Sequence, residues 1–122
     1  MMRLALALLA LAAPPALAAT AGDFGAFWKA FAAAAGKDDQ AALARMTILG
    51  PGLDPNLSPP TFAAFHAAHL GPTARRCLTR ATPVRDEGGD GVVTYDVFCG
   101  QVIYSFSWTA AGWKLTDMGV ND

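Results

Sequence analysis

The architecture of the chain is indicated most clearly by one run, Val102-Ile-Tyr-Ser-Phe-Ser-Trp-Thr109. Every second residue falls on one face, which carries Val102, Tyr104, Phe106 and Trp108. Apart from Ile103, the opposite face is small and polar. Period-two alternation of aromatic and β-branched residues is typical of a strand that is buried on one side. We therefore expect a β-strand with an aromatic, core-facing side.

Two further strands extend this run into an antiparallel meander from Val92 to Val120. Glycine at the first position of Gly100-Gln101 suits a two-residue type II′ turn to the preceding strand. That turn sets these pairs: Cys99 with Val102, Val97 with Tyr104, Tyr95 with Phe106, and Val93 with Trp108. A slip of one residue would place serines against apolar partners, so this register is favoured.

The last hairpin has two possible registers. A two-residue Ala111-Gly112 turn would place Leu115 opposite Trp108 on the core face. A type I turn with a glycine bulge would send Trp113 and Leu115 to the opposite face. The sequence does not choose between them.

The segment that precedes the meander is predicted to be extended from Thr73 onward, with residues 83–91 as a glycine-rich hairpin loop. A loop centred on Gly88 gives three pairs: Cys77 with Cys99, Leu78 with Phe98, and Arg80 with Asp96. One register thus joins two cysteines, two apolar side chains and two opposite charges. Such agreement between independent signals supports the register.

Helices are expected before the strands. The first helix should begin after its N-cap, Asp23, and run to about Ala35, with Gly36 as its end. Its apolar stripe consists of Phe24, Phe27, Trp28 and Phe31. Core packing explains this stripe better than an aromatic cofactor box. Asp38 is the expected cap of a short second helix, which ends at Arg45 or the next residue.

A third helix follows a turn-rich segment. Thr47-Ile-Leu49 is interpreted as a short edge strand and residues 50–57 as an ordered loop. Ser58-Pro59 suits a helix start, with serine as the cap and proline at the first helical position. This helix ends at Gly71-Pro72 and carries Phe62, Phe65, His66 and His69.

Residues 1–18 have the pattern of a secretory signal peptide. Arg3 is followed by a Leu/Ala run, a proline pair and small residues before a cleavage site after Ala18 or after Ala21. The apolar run is too short to span a hydrocarbon core of ~30 Å. We therefore expect residues 22–122 to form a single periplasmic or secreted domain. In an exported chain, Cys77 and Cys99 predict one disulfide.

The charge of the chain excludes some partners. Nine Lys/Arg and ten Asp/Glu residues give a net charge of -1. Nucleic acid and anionic membrane surfaces both require clustered positive charge, so neither is an expected partner. The one basic cluster contains Arg75, Arg76, Arg80 and Arg85. Acidic residues interleave with it, which favours a solvated strand face over a site for an anionic partner.

Three motifs carry a resemblance to a known fold. They are Phe27-Trp28-x-x-Phe31, Asp39 with Leu43, and Gly112-Trp113-Lys114-Leu115. In this order the chain resembles the nuclear-transport-factor-two-like superfamily of α+β cones, particularly its small exported members of unknown role. The resemblance implies an α+β fold whose N-terminal helices pack on a curved antiparallel sheet of about four strands. It also implies a pocket between helices and sheet, and it leaves activity open because the superfamily includes isomerases, dehydratases and non-enzymatic binders.

The two histidines are the first candidates for chemistry. His66 and His69 are three residues apart on one helix face, so a metal half-site, a pocket acid or base and a structural role all come into question. Helix three supplies no third ligand, and we expect neither a metal nor a cofactor. A structural role is favoured because both histidines follow Phe62 and Phe65 at core spacing.

Tyr95, Tyr104 and Asp96 invite comparison with isomerases that use a carboxylate base and a tyrosine donor in an apolar pocket. The predicted register opposes this, since Asp96 points away from both tyrosines. The residues expected to line a pocket between helices and sheet are Trp28, His66, His69, Tyr95, Tyr104 and Trp108.

The leading functional hypothesis is a non-enzymatic exported protein that binds a small apolar ligand or a partner protein. The first alternative is a cofactor-free isomerase or hydrolase that uses a pocket histidine and tyrosine. The second is a homodimeric interaction subunit that acts through the outer sheet face. Its interface candidates are Leu78, Phe98 and Ile103.

Overall fold

The computed structural model describes residues 22–49 and 61–121. The helices are α1 (Phe24–Lys37), α2 (Gln40–Arg45), α3 (Phe62–His69) and α4 (Pro72–Arg80). The strands are β1 (Val84–Glu87), β2 (Val93–Cys99), β3 (Val102–Thr109) and β4 (Gly112–Val120). They form an open antiparallel sheet in the order β1-β2-β3-β4, with the helices N-terminal to it. The α+β class predicted from the sequence is confirmed.

Helices α1 and α2 begin at aspartate caps. Asp23 accepts a hydrogen bond from the Gly25 backbone N–H at 2.9 Å, which confirms the predicted start of α1. The predicted stop at Gly36 is two residues early, because Asp38 takes the left-handed conformation (φ 53°) that ends the helix. The cap of α2 is therefore Asp39, whose side chain accepts from the Ala42 N–H, and the prediction of Asp38 is wrong.

Helix α3 is capped by Thr61, whose hydroxyl oxygen accepts from the Ala64 N–H at 3.1 Å. The predicted cap Ser58, the predicted loop at 50–57 and the predicted signal peptide at 1–18 lie outside the described residues. Thr47 makes a bridge to Leu115 of β4, in place of a longer edge strand.

The predicted extended segment after Thr73 is wrong, since these residues form α4. Pro72 occupies the first turn of α4, where a missing N–H costs nothing. Leu78 is 0% exposed, so it belongs to the core and not to the outer sheet face. Its predicted role as an interface residue is therefore wrong. Ala74 lies one turn before Leu78 and packs against the same core.

The first strand lies where the sequence suggested a hairpin loop. Val84 of β1 pairs with Asp96 of β2, so the predicted pairing of Arg80 with Asp96 is wrong. Asp96 accepts a hydrogen bond from the Ser105 hydroxyl at 2.7 Å instead. The polar Val84–Glu87 segment is exposed throughout, which is why its composition indicated a loop.

The meander forms as predicted between β2 and β3. Cys99 pairs with Val102, Val97 with Tyr104, and Tyr95 with Phe106. The residues on the predicted core face are buried at its centre, where Val97 and Phe106 are inaccessible to solvent. The alternation of large and small side chains therefore determined the register correctly.

The final hairpin combines features of both registers considered. Thr109 pairs with Gly112, which has a φ of 100°, and a bulge follows between Ser105 and Phe106. Trp113 and Leu115 are both buried on the core face, so the register that sends them outward is wrong. The register with an Ala111-Gly112 turn is wrong about the partner of Leu115, which it placed opposite Trp108. In the structure, Leu115 lies opposite Phe106 and Trp113 lies opposite Trp108.

In the core between helices and sheet, aromatic rings of α1 pack against aromatic rings of the sheet. Phe24 and Phe31 of α1 both meet Phe106 edge-on, with ring centroids 5.9 Å and 5.0 Å away. Trp113 packs edge-on against Phe24, and its indole N–H donates to the Gly22 carbonyl. Burial of these rings makes the α1–sheet contact a solid core.

Candidate functional site

A cavity of about 440 Å³ lies between the α3–α4 turn and the β2–β3 turn. It is lined by Ala68, His69, Gly71, Pro72, Thr73, Ala74, Cys77, Cys99, Gly100, Val102 and Tyr104. Small-molecule sites in proteins commonly measure ~300–1,000 Å³ and are mostly apolar. The size and the lining of this cavity are those of a site for a small molecule.

The depth of the cavity follows from the burial of its lining. Tyr104 is 2% exposed and forms the floor. Ala68, Pro72, Thr73 and Gly100 are exposed and form the mouth. The cavity therefore opens to solvent between the two turns and narrows toward the sheet.

Each wall is placed by a local sequence feature. Thr73 and Cys77 are four residues apart on α4, so they lie one above the other along the helical wall. Gly71-Pro72 ends one helix and starts the next, which leaves a corner without a large side chain. On the sheet side, Gly100 takes a φ of 65° that keeps the β2–β3 turn tight.

The disulfide forms one wall of the cavity. Cys77 and Cys99 are joined by an S–S bond of 2.10 Å, with their Cα atoms 5.8 Å apart, and this confirms the predicted pair. The bond connects α4 to the end of β2, whereas the sequence suggested two neighbouring strands. The helical wall is thus covalently attached to the sheet at the cavity itself.

The floor carries a fixed polar group. The Tyr104 hydroxyl donates a hydrogen bond to the His69 backbone carbonyl at 2.6 Å, which ties β3 to the end of α3. Burial raises the pKa of Tyr104 to about 12. The hydroxyl therefore keeps its proton at neutral pH and acts as a donor, already directed at a carbonyl.

The structure separates the two histidines. His69 lines the cavity, whereas His66 lies beside Asp38, with 2.7 Å between the imidazole Nε2 and the carboxylate Oδ1. Arg75 Nε lies 3.4 Å from the same oxygen. The hydrogen bond to His66, assisted by the charge of Arg75, lowers the pKa of Asp38. This polar joint connects the end of α1 to α3 and α4.

Three of the predicted pocket residues do not line the cavity: Trp28 and Tyr95 pack against the aromatic core, and Trp108 is 38% exposed. Tyr95 stacks on Phe24 with ring centroids 3.9 Å apart. Trp28 meets Phe106 edge-on, and Trp108 meets Trp113. Of the six predicted pocket residues, the cavity therefore contains His69 and Tyr104.

Sequence reasoning missed the residues of the α3–α4 corner. Pro72, Thr73 and Ala74 line the cavity because a second helix starts at the point where α3 was expected to give way to extended chain. The signal was present in Gly71-Pro72, since proline at the first helical position often opens a helix. The half-buried Val102 was correctly placed on the inner face: it packs against the core and also lines the cavity.

A smaller, basic depression lies on the other side of α4. It measures about 140 Å³ and is lined by Ala35, Gly36, Pro72, Arg75, Arg76 and Thr79. Pro72 also lines the larger cavity, so the two concave surfaces meet at the first turn of α4. Arg75, Arg76 and Arg80 lie on α4, which corrects the expectation that they form a strand face, whereas Arg85 does lie on the exposed strand β1.

The outer sheet face retains two of its three predicted contact residues. Phe98 is 47% exposed and pairs with Ile103, which is half-buried. Asp96 and Ser105, the next pair along these strands, are linked by a hydrogen bond. This face therefore combines a polar pair with a small apolar pair beside the β2–β3 turn.

Comparison of the chain with models of protein families, with curated proteins and with solved structures finds no match in any of the three. Within residues 22–49 and 61–121, no group of three or more His, Cys, Asp or Glu side chains is arranged to hold a metal ion. Among the helices of the same ranges, none combines the length and apolarity that a membrane crossing requires.

Proposed function

We propose that this protein binds a small, largely apolar molecule in the cavity between α3, α4 and the β2–β3 turn, and that it acts as a periplasmic or secreted binding protein. The observation that carries the proposal is the cavity of about 440 Å³ with Tyr104 as its floor. Apolar surface of this kind gains affinity from the removal of water. The disulfide and the signal-peptide pattern of residues 1–18 support an oxidising location outside the cytoplasm.

The hydrogen bonding of Tyr104 at the floor of the cavity favours binding over catalysis. An enzyme of the type considered would need the tyrosine hydroxyl or a histidine to face a reacting group. The Tyr104 hydroxyl already donates its proton to the His69 backbone carbonyl, so this proton is not directed at a reacting group in the cavity. Of the two histidines, His66 is engaged with Asp38 outside this cavity, whereas His69 lines it beside Tyr104. Among the described residues, the lining contains no carboxylate that could act as the base of the isomerase type considered. The α+β order of helices followed by a meander also fits the proposed cone superfamily, which contains non-enzymatic binders.

The proposal is tested by titration with the neutral fluorescent probe N-phenyl-1-naphthylamine, whose emission rises in apolar surroundings. Ala68→Trp places a large side chain at the cavity mouth, and we expect it to lower probe affinity about tenfold, equal to about 1.4 kcal/mol. Ala67→Trp is the matched control, since Ala67 is an exposed neighbour on α3 that does not line the cavity. This control should bind the probe as the wild type does.

Amide chemical shifts locate the bound probe. We expect the changes to cluster at Ala74, Gly100 and Val102, which line the cavity. No saturable binding, or changes confined to the aromatic core near Tyr95, would refute the proposed site.

A second candidate function is self-association through the outer sheet face. The exposed Phe98 beside Ile103 favours it, since two neighbouring apolar side chains on a sheet face are suited to a contact. Sedimentation velocity should show a dimer that dissociates in Phe98→Asp. A wild type that stays monomeric up to high concentration would exclude this function.

A further inference from the structure

A cation lies at the mouth of the apolar cavity. Arg76 is exposed on α4, and its Nη2 donates a hydrogen bond to the Thr73 hydroxyl at 3.2 Å. Thr73 is one of the exposed residues that form the mouth. The guanidinium of Arg76 is thereby held within one hydrogen bond of the cavity entrance.

In the part of the chain that the structure describes, no carboxylate pairs with Arg76. Among residues 22–49 and 61–121, the ion pairs involve His66 or Arg75 with Asp38, and Arg85 with Glu87, but not Arg76. Arg75, one residue earlier, is used differently: its guanidinium contacts Asp38 and the backbone carbonyls of Leu70 and Ala35. Arg76 is therefore available to a ligand, whereas Arg75 is part of the polar joint.

Among residues 22–49 and 61–121, no acidic side chain lines either of the two concave surfaces that meet at Pro72. The apolar cavity lies on one side of this residue, and the basic depression lined by Arg75 and Arg76 lies on the other. An anion at the mouth would thus meet positive charge without facing a carboxylate of the lining. A neutral ligand would form no ion pair with this positive charge.

We infer that the ligand is an amphiphile with one anionic group, such as a medium-chain carboxylate, with its apolar part against Val102 and Tyr104 and its anion at Arg76. This inference rests on the proposed function and names the ligand class of the same site. Guanidinium groups bind carboxylates through charge-assisted hydrogen bonds, which are stronger than neutral ones. Because Arg76 is exposed, solvent screening limits the gain, and we expect about a fivefold effect on affinity.

The experiment measures displacement of N-phenyl-1-naphthylamine by octanoate and by 1-octanol, two competitors with the same chain length and different head groups. Arg76→Gln should weaken octanoate about fivefold and leave 1-octanol unchanged, while Arg76→Lys should retain most of the octanoate affinity. Arg80→Gln is the matched control, since Arg80 is an exposed arginine of the same helix that lines neither concave surface. It should leave both competitors unchanged. The octanoate affinity of the wild type should also fall as salt concentration rises.

The outcomes separate the two proposals. Displacement by octanoate that is equal in the wild type and in Arg76→Gln would overturn the amphiphile inference and leave the apolar site standing. An equal loss for octanoate and 1-octanol would overturn it as well, because the role of Arg76 would then be packing and not charge. Absence of probe binding to the wild type would overturn the proposed function itself. Co-sedimentation with phosphatidylglycerol vesicles that requires Arg76, without octanoate binding, would replace the free amphiphile by a membrane lipid and refute the inference as stated.

Discussion

Replacing Cys77 and Cys99 together by alanine removes the bond between α4 and β2, and its cost can be worked from the chain. The two cysteines are separated by 22 residues. In the chain-entropy model, closing a loop of this size in the unfolded state is worth about 3 kcal/mol at 25 °C. We expect the free energy of unfolding to fall by that amount, a large share of the ~5–15 kcal/mol that is typical of a small domain.

Urea unfolding followed by tryptophan fluorescence measures this loss. With a slope of ~1.5 kcal/mol per molar urea, the midpoint should fall by about 2 M. Dithiothreitol should produce the same loss in the wild type and no change in the double-alanine variant, which serves as the internal control. Because both cysteines line the cavity, the variant should also bind N-phenyl-1-naphthylamine more weakly at urea concentrations where it remains folded.

A stability loss below about 1 kcal/mol would refute this reasoning, since loop closure alone predicts about three times as much. Full stability with lost probe binding would show instead that the disulfide shapes the cavity without constraining the unfolded chain. Dithiothreitol sensitivity of the double-alanine variant would mean that the reductant acts elsewhere.

Three further predictions concern single residues. Phe106→Ala should cost about 3–5 kcal/mol in urea unfolding because its ring is fully buried, whereas Phe98→Ala on the neighbouring strand should cost under about 0.5 kcal/mol because Phe98 is exposed; equal losses would contradict the assigned faces. Tyr104→Phe should cost about 1–2 kcal/mol, since it removes the hydroxyl that donates to the His69 carbonyl, and an unchanged thermal midpoint would contradict that hydrogen bond. Because the pKa of Asp38 is lowered in the folded state, its contribution is present above the ordinary value of 3.8 and is lost as pH falls through the lowered pKa. Asp38→Asn should therefore be less stable than the wild type at pH 6 and converge with it in acid; a constant difference in urea midpoint would refute the assignment.

The β2–β3 hairpin could be predicted in detail from the sequence because its signals are local and repeat. Alternation at Tyr104 and Phe106, together with the turn at Gly100, fixes both the register and the buried face of β2 and β3. A one-residue shift would have exposed every aromatic side chain at once. The start of α1 could also be predicted from local sequence, since it depends on the cap at Asp23.

The predictions from the sequence failed where one motif is compatible with two different structures. Gly71-Pro72 can end a helix or begin one, and Thr73 to Arg80 has only Ala74 and Leu78 as its inward pair. The disulfide prediction survived this error because a helix can also bring Cys77 to Cys99. Leu78, however, was predicted to lie on the surface, and the structure buries it in the core.

The candidate site was less predictable than the fold. Its walls come from the α3–α4 corner and the β2–β3 turn, which are adjacent only through tertiary packing. Tyr104 was identified because alternation places it inward, but its partner, the His69 backbone carbonyl, has no signature in the side-chain pattern. The position of Arg76 at the cavity mouth required α4 to be known as a helix.

The short bridge from Thr47 to Leu115 bears on the sheet's unpaired borders. The Leu115 backbone N–H donates to the Met46 carbonyl, and the Ile48 N–H donates to the Leu115 carbonyl, so the middle of the β4 border is occupied by the chain's own backbone. The opposite border is β1, a strand of four residues that contains Arg85, Asp86 and Glu87. Occupied backbone groups and charged, short border strands both oppose the addition of a strand from another molecule. This protein is thus protected at both borders against sheet extension into fibrillar aggregates.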